Sequence, residues 1–246
     1  MHTSPVAELG ISVMALLLSA FFVWAVDRAA PLLAPPQRRR RLALVAGATT
    51  LWLALLALAS LSGAVAHFEL RPPPLAFLMF GSIAMGLALG FSRVGGWLAS
   101  GLPLWLLVGW QAFRLPLELL IHRAAQDGVA PSALSFSGYN FDILTGSSAL
   151  VLSLLLTRVR VPRLLIAAWN ALGIAALLTI AVIAVLTAPF VRALGEGQIN
   201  SWVAYFPYVW LPGVMVASAV AGHVAVSRRL LSEARSQPPR LDHQTA

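Results

Sequence analysis

A chain of 246 residues of which 59% are hydrophobic and only 11% charged lies outside the range of ordinary soluble domains, where charged residues make up about a quarter. It has no cysteine and all 17 of its basic residues are arginine, which excludes disulfides, thiolate metal sites, thiol nucleophiles and lysine Schiff-base chemistry. The net charge of +8 sits in short arginine-bearing connections beside apolar runs, so it reads as a topology signal and not as a nucleic-acid surface.

Taken in order, the chain reads as an all-α transmembrane bundle of seven helices. Residues 8–26 are long enough for a first span, and no cleavable leader is recognised before them. A basic connection with Arg28 and Arg38 to Arg41 leads to a second span over 42–66, which His67, Glu69, Arg71 and three consecutive prolines terminate. The third span, 75–91, carries Ser82, Gly86 and Gly90 at intervals of four, a small-residue stripe that lets helices approach closely. A fourth, long and tilted helix over 97–122 contains Pro103 and Pro116, and a long connection over 123–141 follows it. Loops of that length tend to be functional. The fifth span, 143–157, is short; the sixth is 164–191; the seventh, 201–226, is bent by Pro207 and Pro212. Trp202, Tyr205, Tyr208 and Trp210 read as an aromatic belt at the membrane surface, and Arg228 and Arg229 as the stop. Residues 1–231 thus form one transmembrane domain, and 232–246 a disordered tail.

Orientation follows from arginine counts on alternate sides. Thirteen arginines fall on the side of the first, third and fifth connections and the tail, against Arg71, Arg123 and Arg192 on the other. That asymmetry places the N-terminus outside and the C-terminus in the cytoplasm of a bacterial plasma (inner) membrane.

The chemistry concentrates in Gln111–Arg123. At about 100° per residue, Arg114, Glu118 and His122 fall within one arc of about 80°. Ionisable groups at membrane depth are costly unless paired or facing a cavity, so this stripe is the first place to look for function. Arg114 and Glu118 can pair along the helix, or Arg114 can hold an anion while Glu118 carries a proton. His122 reads as an interfacial or proton-active group, and Asp142 as a helix cap. Asn140 and Asp142, at the end of the long loop, are placed to close over the stripe as partners of Arg114 and His122. A metal site would instead draw on His67, Glu118, His122 and Asp142, with Glu69 beside His67. His223, near the end of the seventh span, reads as a cap or headgroup residue.

In Phe113-Arg114-x-Pro116-x-Glu118-x-x-x-His122, Asn140-Phe141-Asp142-Ile143-x-Thr145-Gly146 and Trp210-Leu211-Pro212 with His223, the chain resembles an uncharacterised family of small bacterial polytopic membrane proteins. The resemblance spans about Trp110 to Arg229 and implies a shared fold, with the motif positions forming one site. It brings no activity or cofactor. Where it leads one to expect Thr-Phe-Glu-Gly, this chain has Ser135-Phe136-Ser137-Gly138, and the missing carboxylate at Ser137 weakens the metal reading.

The functional expectation is an integral membrane protein that binds or transports a small solute or protons at Arg114, Glu118, His122, Asn140 and Asp142. A membrane-embedded metal-dependent enzyme, or a structural subunit of a membrane complex, are the alternatives. The bilayer is the expected partner, nucleic acid is not, and cofactor and oligomeric state stay open.

Overall fold

In hydrocarbon every backbone N–H and C=O must be satisfied within the protein, which leaves helices as the economical answer for apolar runs of this length. The computed structural model describes residues 3–235, and among these it is all-α with no strand. Six helical stretches are long and apolar enough to cross a membrane. They comprise α1 (Pro5–Ala29), α2 (Pro35–Leu61), α3 (Pro74–Phe91), the run through α5 (Leu104–Gly109) and α6 (Arg114–Gln126), α8 (Arg163–Leu186), and the run ending in α9 (Ala217–Arg235). Between them lie α4 (Arg93–Gly101) and the shorter apolar α7 (Asp142–Leu156). The lipid-facing sides are greasy and unpartnered, as Leu44, Leu51 and Leu58 on α2 and Leu172 and Leu178 on α8 illustrate.

Four boundaries depart from the sequence reading. The expected single helix over 97–122 is broken: α4 ends at Gly101, Leu102 is extended, and α5 begins after Pro103. Proline lacks an N–H and drives the preceding residue out of the helical region. Pro116 does no such damage: it falls in the first turn of α6, directly after the 3-10 turn over Trp110–Phe113, where proline is tolerated. The expected seventh span over 201–226 is displaced along the chain. Residues 201–210 fold as a short 3-10 turn and loop, and the helix starts as a π-helical segment, Leu211–Val216, before running as α9 to Arg235. Pro212 stands in its first turn. The expected tail from 232 is therefore helical as far as Arg235, braced by Glu233, which takes Arg163 at 3.3 Å and Arg229 at 2.6 Å; residues 236–246 lie outside the described residues. In the same way α2 starts at Pro35, so Arg38 to Arg41 lie on helix and not in a loop.

The expected aromatic belt turns inward. Trp202, Tyr208 and Trp210 are buried, Trp202 packs on Tyr208, and Trp210 donates its indole N–H to the Leu53 carbonyl. Trp52 donates likewise to Gly213 O, and the Ser60 hydroxyl to Ala204 O. These three bonds tie α2, which otherwise buries little of itself, to the 201–216 segment.

The small-residue stripe of the third span does what its spacing predicts. Ser82, Gly86 and Gly90 are all buried, and a Cβ at Gly86 would sit 2.7 Å from Ala217 O, one at Gly90 2.6 Å from Val224 Cβ. Small residues let the two backbones close on each other, so α3 and α9 form the central seam of the bundle.

Where α6 ends, Asp127 accepts from the Ser4 hydroxyl at 2.6 Å and from Arg123 Nε at 3.0 Å. These partners, Ser4 first, hold its carboxyl below the ordinary carboxylate range. A depressed carboxylate contributes stability that is present above its unfolded value and is lost as pH falls through the folded one. Amides of residues 8–12 at the start of α1, the first of which bonds the Ser4 carbonyl, should therefore exchange faster at pH 3 than predicted from intrinsic rates alone, and Asp127→Asn should show the same loosening already at neutral pH. Equal protection in wild type and variant would remove the tether.

Candidate functional site

The polar cluster is built by a close approach of α6 and α7. A Cβ at Gly146 would lie 2.3 Å from the Leu115 nitrogen and 2.8 Å from the Arg114 carbonyl carbon, so only glycine permits this contact. One turn earlier on α7, that proximity delivers Asp142 to Arg114. Arg114 Nε donates to Asp142 Oδ2 at 3.1 Å, and its Nη2 donates to the same oxygen. The remaining Nη1 donates to His223 Nε2 at 3.0 Å. With Nε2 accepting, His223 Nδ1 carries the proton and donates to Asn170 Oδ1 at 2.9 Å. Asn170 Nδ2 in turn donates to Ser227 Oγ at 2.8 Å. Gly173 on α8 leaves room for the imidazole, since a Cβ there would meet His223 Cε1 at 2.4 Å.

Arg114 and Glu118 do not pair along α6, contrary to expectation. Glu118 is satisfied from the loop: Asn140 Nδ2 donates to its two oxygens at 2.9 and 2.8 Å, and also to Leu134 O at 2.9 Å. Asn140 Oδ1 accepts from the Asp142 amide at 3.0 Å. That bond caps the start of α7, the role expected of Asp142, whose own carboxylate is spent on Arg114. One loop residue thus reads both carboxyl-bearing helices. The amide has two hydrogens for three acceptors, and Asp142 Oδ1 is buried with no partner at all. The cluster carries more acceptor capacity than its donors fill.

Arg114, Glu118, Asn140, Asp142, Asn170 and His223 are all buried, Arg114 and His223 to 1% exposure. His122 sits apart from them at the half-exposed end of the stripe. Its Nδ1 bonds Ser135 Oγ at 2.8 Å, its Nε2 accepts from Gln126 at 3.1 Å, and its ring stacks on Phe136 at 4.3 Å between centroids. It hydrogen-bonds neither Asn140 nor Asp142. His67 pairs with Glu69 at 2.9 Å in the exposed turn after α2. The four residues of the metal alternative are therefore not gathered, and among the described residues no three histidine or acidic side chains come together as a ligand set.

Read helix by helix, the sequence assigned His223 a cap or headgroup role and passed over Asn170. With the seventh span drawn over 201–226, His223 fell near its end; with the helix running from 211 to 235, it is mid-helix and faces the core. Each is a lone polar side chain in an apolar run, and that alone is a reason to seek a mutual partner. Gln111 belongs with them: it is wholly buried, donates to Ala219 O at 3.0 Å and leaves Oε1 unpartnered.

Two apolar cavities flank the cluster without including Arg114, Glu118, Asp142 or His223. One, of about 380 Å³, lies among α1, α2, α3, α4 and α9. The other, of about 420 Å³, lies between α3 and α8 and is lined also by Asn200 and Trp202. Compared with known proteins, the chain matches no family model, no curated protein and no solved structure.

Proposed function

We propose that the chain crosses a bacterial plasma membrane seven times, N-terminus outside, and that the Arg114–Asp142–Glu118 cluster exchanges protons in the course of moving a small solute or protons themselves. The observation that carries this reading is the imbalance of the cluster: one guanidinium faces two buried carboxyls, with Asp142 Oδ1 unpartnered and both Glu118 oxygens dependent on one amide. A single proton, shared between the carboxyls, completes that set. Ionisable groups with this arrangement at membrane depth mark proton relays. Arg114 and Asn140 do not release protons, so the cluster works as a holding site reached from the His122 end and not as a continuous wire to Ser227. The 127–141 loop, which supplies Asn140, is the element whose displacement exposes Glu118. Thirteen arginines on the opposite side, against three on this one, support an outer-face mouth.

The test is proton entry into proteoliposomes holding a pH-sensitive dye under an imposed potassium diffusion potential. Glu118→Gln keeps an oxygen to accept from Asn140 and should fold, while bringing proton entry down to that of empty vesicles. Flux equal to wild type would remove Glu118 from the role.

A second reading, a structural lock in a subunit of a membrane complex, is favoured by the closure of the cluster, in which Glu118 is 2% and Asp142 6% exposed. On that reading Glu118→Gln lowers stability and leaves no flux to lose.

A further inference from the structure

Five arginines, Arg28 and Arg38 to Arg41, gather where α1 passes into α2, with Asp27 as the nearby acid. Asp27 is already taken by Arg38, through Nε at 2.8 Å and Nη2 at 2.5 Å. Arg41 is different. Its Nη1 donates to Pro31 O at 2.9 Å, its guanidinium carbon lies 5.9 Å from the centre of the Trp97 ring, and its Nε is buried without a partner. One helical turn further along the same face of α2 stands Val45, and Val45, Val94 and Leu98 all line the 380 Å³ cavity. Arg41 therefore sits at the arginine-rich end of that space. Across it, Arg228 Nη1 donates to Gly90 O at 2.6 Å and Ser92 O at 2.8 Å, and Gly90 is itself a lining residue.

The walls of the cavity are apolar, with Phe22, Trp52 and Met85 among them. α2 packs on α1 and the turn over 64–66, is bonded to the 201–216 segment and has no substantial contact with α3, so the space between α2 and α3 is the side from which a lipid chain would enter. An apolar slot entered from lipid, with five arginines at one end and, among the described residues, only Asp27 close by to answer them, is complementary to one kind of molecule. We infer that this cavity holds an acyl chain of an anionic phospholipid whose phosphate is bound by Arg41, with Arg39 and Arg40 of the same helical turn adding charge. Arginine suits the task because its planar fork meets phosphate oxygens with two parallel bonds. The site is independent of the buried Arg114 cluster.

The experiment is thermal unfolding of the purified full chain in detergent with added dioleoylphosphatidylglycerol, dioleoylphosphatidylcholine or glycerol phosphate. At about a hundredfold excess over the dissociation constant, the anionic lipid should raise Tm by roughly 5–10 °C, the zwitterionic lipid less, and glycerol phosphate not at all. Arg41→Gln, a half-exposed surface change, should reduce the anionic lipid's shift to that of the zwitterionic one. Ala48→Phe, which fills the cavity from exposed α2, should abolish both shifts. The inference is overturned if the two lipids stabilise equally, if glycerol phosphate alone reproduces the shift, or if either variant responds like wild type.

Discussion

Arg114→Met should cost roughly 3–5 kcal/mol, the penalty for leaving a buried charge uncompensated, and so remove a large part of the stability of a protein of this size. The side chain is 1% exposed, so water cannot replace what it gives up. Its loss strands the Asp142 carboxyl, whose other oxygen is already without a partner, and deprives His223 Nε2 of its donor. The damage reaches α6, α7, α8 and α9 together, because Arg114 joins Asp142 on α7 and, through His223 on α9, Asn170 on α8. Denaturant titration in mixed micelles measures it. A variant within about 1 kcal/mol of wild type would show that the ion pair is not holding the bundle.

The double substitution Arg114→Met with Asp142→Leu separates stability from function. Replacing both partners of a buried pair by apolar groups of similar size is often nearly neutral, so the double variant should recover most of what the single one loses. His223 still lacks its donor, which limits the recovery. If the cluster exchanges protons, the recovered protein folds and conducts nothing. A double variant as unstable as the single one would mean that the fold depends on Arg114 through His223 more than through Asp142.

How much of this was legible depends on the range of the interaction. The stripe of Arg114, Glu118 and His122 follows from helical period alone, and the first two are indeed buried while the third is half-exposed. The Ser82, Gly86, Gly90 seam follows from the same period with small residues in place of polar ones. Asp142 as partner of Arg114 could be named because a loop had to bring it back over the helix, but the same argument gave Asn140 to the wrong neighbour; it serves Glu118. The buried position of His223 was out of reach for a different reason. Its depth depends on where the last helix starts, and that is set by the turn and the π-helical segment around Pro207 and Pro212, where the hydropathy is continuous. Hydropathy reports burial in lipid and is blind to the break. The same blindness concealed the interruption at Pro103.

Gly146→Ala should be among the most damaging single methyl groups that can be added to this protein. The new Cβ would stand 2.3 Å from the Leu115 nitrogen and 2.9 Å from its Cα, which are backbone atoms of a helix and have no rotamer to give. Overpacking of this sort costs about 1–3 kcal/mol in a core that can adjust, and here the adjustment is itself harmful. Moving α7 outward withdraws Asp142 from Arg114 and the Asp142 amide from Asn140 Oδ1, so the steric cost and the cost of the parted ion pair add. The control is Gly81→Ala on α3, where a Cβ meets nothing within 4 Å; there the exchange should be neutral or stabilising by up to about 1 kcal/mol from helix propensity. Unfolding of the two variants side by side decides the matter. If Gly146→Ala is as harmless as Gly81→Ala, α6 and α7 are not in backbone contact in the membrane, and the geometry that brings Asp142 to Arg114 loses its basis.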